Sequence, residues 1–104
     1  MDSSRVNVYN SLGISYLNDG RYNAALVNFR LAEQKILAKS KNKIPATEVD
    51  RKTLGDSYFF LGRIYLEKGE NRLALKNFKY AFKVNPKDAE AGEKIRELEN
   101  GADE

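Results

Sequence analysis

The chain contains neither histidine nor cysteine, which removes the commonest general base, the thiol nucleophile and the soft metal ligands together. It also excludes a disulfide framework. The reactive groups that remain are carboxylates and bases, and their spacing argues against a catalytic cluster. Glu90, Glu93 and Glu97 recur at three and four residues, the pattern of a solvated helix face. Gly13 and Gly62 lie inside stretches of helical periodicity, away from any strand-to-helix turn, so no phosphate-cradling loop is present. Basic residues gather at Lys35, Lys39, Lys41, Lys43, Arg51 and Lys52, and such a cluster attracts phosphates. No aromatic residues are interleaved with it to stack bases. The expectation is a protein without enzymatic activity, cofactor or metal, with nucleic-acid contact through this basic surface ranked as the last of three functional readings.

The elements that carry these residues are helical. In 104 residues, 41% are hydrophobic and 32% charged, enough for a modest core and too hydrophobic for a disordered chain. Two prolines and seven glycines are the only strong breakers, and helix formers dominate between them. The net charge of +3 is unevenly spread, because residues 87–104 hold seven acidic and three basic groups while the rest is basic. Such a surface suits a mixed or acidic partner. The N-terminus, Met-Asp-Ser-Ser-Arg-Val-Asn-Val, has no long apolar run, so neither a signal peptide nor a membrane span is expected and the default location is cytoplasmic.

Self-comparison reveals a duplication. Residues 6–32 and 55–81 align without gaps, sharing 11 of 27 positions. The shared residues are Tyr9/Tyr58, Leu12/Leu61, Gly13/Gly62, Tyr16/Tyr65, Leu17/Leu66, Gly20/Gly69, Ala25/Ala74, Leu26/Leu75, Asn28/Asn77, Phe29/Phe78 and Ala32/Ala81. Ten of these eleven are apolar or glycine, the composition of a core and not of a chance match. The apolar positions recur at three and four residues, the mark of amphipathic helices. Gly20 and Gly69 stand where a helix would end in a left-handed residue, and a second helical pattern follows each at once. Each copy therefore reads as an antiparallel helical hairpin. Gly13 with Ala25, and Gly62 with Ala74, put small residues on large apolar faces, which predicts close helix approach.

The copies resemble the tetratricopeptide repeat, whose pattern is W-x2-L-G-x2-Y…A-x3-F…P. The first reads Tyr9-x2-Leu12-Gly13-x2-Tyr16 and Ala25-x3-Phe29; the second reads Tyr58-x2-Leu61-Gly62-x2-Tyr65 and Ala74-x3-Phe78, closing at Pro86. Tyrosine replaces tryptophan in both. The copies lie 49 residues apart, Gly13 to Gly62, where neighbouring repeats lie about 34 apart. The first copy also lacks its proline. Glu33 to Lys39 continues a helix, Ser40 to Pro45 reads as a polar turn, and Thr47 with Asp50 resembles a capping box. These features predict that the second helix of copy one and the first helix of copy two are each extended by one to two turns. After Pro86, Asp88 is a candidate N-cap for a final helix with a thin apolar face (Ala91, Ile95, Leu98). Gly101 to Glu104 reads as a frayed tail, and Asp2 or Ser3 as a cap for the first helix.

The resemblance implies an all-α superhelix of antiparallel helix-turn-helix repeats in one domain, 1–104. Repeat one would span about 4–40, an extended connection 41–46, repeat two 47–86 and a solvating helix 88–100. It implies a non-catalytic scaffold or adaptor that binds a protein or peptide in a concave groove. Position by position, that groove would use Asn7, Asn10, Ile14 and Leu17, then Asp56, Phe59, Arg63 and Leu66, with Glu90, Glu93 and Glu97 beside them. Tyr58, Phe59 and Phe60 are three adjacent aromatics, too many for one face. Either one is left in the groove as an anchor, or Phe59 or Phe60 packs against the extended helix of copy one. The family's clamp for chaperone C-terminal carboxylates is not matched, because Asn10, Ile14 and Phe60 occupy its positions. An alternative reading is self-association, through an uncovered first helix and a long connection, since solenoids usually need three or more repeats.

Overall fold

Local signals set the helix ends. The structure, a computed structural model, describes residues 3–40, 45 and 47–101. Five helices follow one another: α1 (Ser3–Asn18), α2 (Tyr22–Ala38), α3 (Glu48–Glu67), α4 (Asn71–Val84) and α5 (Ala89–Gly101), with no strand among the described residues. Gly20 and Gly69 both adopt φ of +77°. Around them the Arg21 and Glu70 amides donate to the Tyr16 and Tyr65 carbonyls at 2.9 and 2.8 Å, and the glycine amides to Leu17 and Leu66 at 3.0 Å. This paired bonding is the Schellman end of a helix, made identically in both copies.

Thr47 caps α3, its hydroxyl accepting from the Asp50 amide at 3.1 Å. The Asp50 carboxylate turns instead to Lys39 at 3.4 Å, tying the start of α3 to the end of α2. Asp88 accepts the Ala91 amide at 3.2 Å and so starts α5. Beside the connection, α2 has 17 residues against 14 in α4, a surplus of about one turn of the kind the spacing predicts, and α3 has 20. The expected turn at 41–46 lies outside the described residues apart from Pro45, which is buried and whose carbonyl accepts from Arg51 at 3.0 Å. Asp2 and 102–104 also lie outside them; Ser3 is the first helical residue and Gly101 the last of α5.

The hairpins α1/α2 and α3/α4 pack side by side, with α5 against α4, in a body of 47 × 29 × 19 Å. Their core repeats too. A Cβ added to Gly13 would stand 2.7 Å from the ring of Phe29, and one on Gly62 2.7 Å from Phe78. The rings lie directly on the glycine backbone, which is why neither copy carries alanine there. Asn28 and Asn77 donate back to the carbonyls of Ala24 and Leu73 at 2.9 and 2.8 Å. Between the hairpins, Arg30 of α2 bonds Glu33 at 3.0 Å and the Tyr65 hydroxyl at 3.1 Å. The Tyr58 hydroxyl meets the same Glu33, and burial with this bond raises its phenol above the ordinary tyrosine range. A polar clasp thus joins α2 to α3 beside the apolar seam.

Candidate functional site

The helix α3 lies between α2 and α4 and touches α1, so it is buried nearly all round. Its three consecutive aromatics diverge accordingly. Tyr58 meets Tyr80 of α4 at 5.2 Å between ring centres, and Phe59 meets Phe78 at 5.4 Å edge-on. Phe60 stacks on Phe29 of α2 at 5.4 Å and 14°. Phe59 is only 8% exposed. The sequence allowed Phe59 as a freestanding anchor; it is instead a core residue whose rim alone reaches the surface. Phe60 fulfils the other alternative by packing on copy one.

That rim belongs to a cleft of 610 Å³ between α1, α3 and the start of α5. Ile14 and the edges of Phe59 and Phe60 supply its apolar lining, with Arg63, Asp56, Lys52, Lys87 and Glu90 around them. The Arg63 guanidinium lies 5.9 Å from the Phe60 ring centre, a cation–π arrangement that holds a cation above an apolar surface. Lys52 and Asp56 pair at 3.4 Å across one turn of α3. A second hollow of 420 Å³ shares Lys52, Asn85 and Lys87 with the first, and continues it between Glu48, Arg51, Val84 and Pro86. Charges of both signs line this channel.

Of the positions anticipated for a groove, Ile14, Asp56, Phe59, Arg63 and Glu90 come together here. Asn7 is exposed outside the cleft. Asn10 accepts a hydrogen bond from the buried Ser57 hydroxyl at 2.9 Å, so it joins α1 to α3. Leu17 and Leu66 pack against the core. Glu93 and Glu97 are exposed on α5 away from the cleft, with Glu97 3.7 Å from Lys94. Sequence reasoning missed Lys52, Asn85 and Lys87. Lys52 was legible as the residue one turn before Asp56; Asn85 and Lys87 sit in the α4–α5 turn, which no helix-face pattern marks.

The described members of the basic cluster have partners within the chain, Arg51 through the Pro45 carbonyl at 3.0 Å. Lys35 lies 5.9 Å over the Tyr9 ring, Lys39 pairs with Asp50 and Lys52 with Asp56, while Lys41 and Lys43 lie outside the described residues. Among the described residues no cluster could hold a metal ion, and no helix is long and apolar enough to cross a membrane.

A family model for the tetratricopeptide repeat matches residues 55–88, from mid-α3 to the turn before α5. No curated protein and no solved structure matches the chain. Tetratricopeptide repeats generally mediate protein–protein interaction and are typically non-catalytic. With its φ-positive glycine turn, its Gly62–Phe78 contact and its paired helices, residues 55–88 of this all-helical chain are a tetratricopeptide repeat.

Proposed function

We propose that the cleft between α1, α3 and α5 binds an extended peptide segment of a protein partner. The observation that carries this reading is the convergence of Ile14, the rims of Phe59 and Phe60, and Arg63 from two repeats on one open channel. Apolar side chains of a ligand would seat on Ile14 and the aromatic rims. Arg63, Lys87 and Glu90 would orient its polar groups, the division of labour usual in binding clefts. Chaperone C-terminal carboxylates do not fit this reading, since Asn10 is spent on Ser57 and Phe60 on Phe29.

The test pans the immobilised chain against a random dodecapeptide display library. Enriched peptides should lose binding to Arg63→Ala and Ile14→Glu and keep it for Val27→Glu, a change on the outer face of α2 where Val27 is 58% exposed. Peptides that bind all variants alike would place the site elsewhere.

A further inference from the structure

The duplication makes each repeat a control for the other, and one pair of matched positions disagrees. Leu61 of α3 is 0% exposed, whereas its equivalent Leu12 of α1 is 40% exposed. One turn earlier, the equivalent of the fully buried Ser57 is Val8, which is 53% exposed. The polar residue is thus inside and the apolar, β-branched one outside. On α3 this face is covered by the first hairpin; on α1 none of the described residues covers it.

The charges say what kind of surface it is. The sixteen residues of α1 include one charged residue, Arg5, against seven in the twenty of α3 and six in the thirteen of α5. Asn7, Val8, Ser11, Leu12, Ser15 and Asn18, the exposed residues of α1 among those with described side chains, are all uncharged. Depletion of charge around apolar residues is the composition of an interface core. A charged partner surface would lose its hydration there and gain no counter-ion.

We propose that this face of α1 binds the same face of a second copy of the chain, in an antiparallel, two-fold symmetric pair. Val8 of each copy then meets Leu12 of the other, with Ser11 near the axis, small enough to let the helices approach. Self-pairing brings together surfaces whose exposed residues with described side chains are all uncharged, so Val8 and Leu12 are covered without stranding or opposing a charge among them. Head-to-tail stacking on α5 would instead bury a helix rich in ions, and would run on into a filament without closing. The pairing is independent of the peptide cleft, which opens on another side of α1 through Ile14.

Light scattering of the chain from micromolar to millimolar concentration tests this. The mass should climb from the monomer toward twice that value. Val8→Glu and Ser11→Arg, both at exposed positions, should stay monomeric with unchanged helical circular dichroism. Val27→Glu and Arg63→Ala should pair as the unaltered chain does. A mass fixed at the monomer throughout, or a dimer that survives both α1 substitutions, overturns the proposal. So does a dimer lost in Arg63→Ala, which would put the contact in the cleft.

Discussion

Gly62 lies so close under Phe78 that a single added methyl group would stand 2.7 Å from the ring's Cε1. The ring is fully buried and packs edge-on against Phe59 at 5.4 Å between ring centres. The same contact between Gly13 and Phe29 makes it a property of the repeat.

Gly62→Ala should therefore destabilise the fold, although alanine is the better helix former by about 1 kcal/mol. Overpacking of this kind costs roughly 1–3 kcal/mol. Urea denaturation monitored by circular dichroism checks the sign; a stabilised variant would contradict the contact.

Leu61→Ala and Leu12→Ala form a matched pair at one repeat position. Emptying the fully buried Leu61 site should cost about 2–5 kcal/mol. Leu12, 40% exposed, should cost about 1 kcal/mol when measured at a concentration where the chain is monomeric. Equal losses would mean that α1 is covered as α3 is.

Thr47→Ala removes the one side-chain cap of α3, whose hydroxyl holds the Asp50 amide. The expected loss is about 1 kcal/mol, with Thr47→Ser recovering most of it. Chemical denaturation of the three proteins side by side gives the comparison.

Tyr58 supplies a pH dependence. Burial and its bond to Glu33 raise its phenol above the ordinary range, so the folded protein keeps this proton where the unfolded chain loses it. The stabilisation is complete below the unfolded value, about 10. It falls as pH rises above that value and is exhausted once the folded group also ionises. Thermal melts from neutral to alkaline pH should show stability declining above about 10, with a shallower decline in Tyr58→Phe.

Much of the fold was legible because its signals are local. Apolar spacing marks a helix face, a glycine after a helix marks a left-handed end, and Thr47 and Asp88 mark helix starts. Each depends on residues within a turn or two, and each holds in the structure. The greater length of α2 over α4 followed from the 49-residue spacing, which adds chain between the copies.

The cleft was legible only in part. Helical periodicity assigns one buried face, but α3 is packed from several sides, so which way Tyr58, Phe59 and Phe60 turn depends on three different neighbours. Asn10 was a groove candidate until Ser57, 47 positions away, claimed it.

By itself the sequence determined that two copies of one helical hairpin follow each other, where they turn and where they pack closely, since backbone conformation and side-chain period are short-range properties. The tertiary structure alone decided that Leu61 is covered and Leu12 is not, that Lys87 from a turn joins Ile14 from α1, and that Phe59 belongs to the core. A residue shared by both copies carries no record of what lies beside it, and burial is a relation between segments.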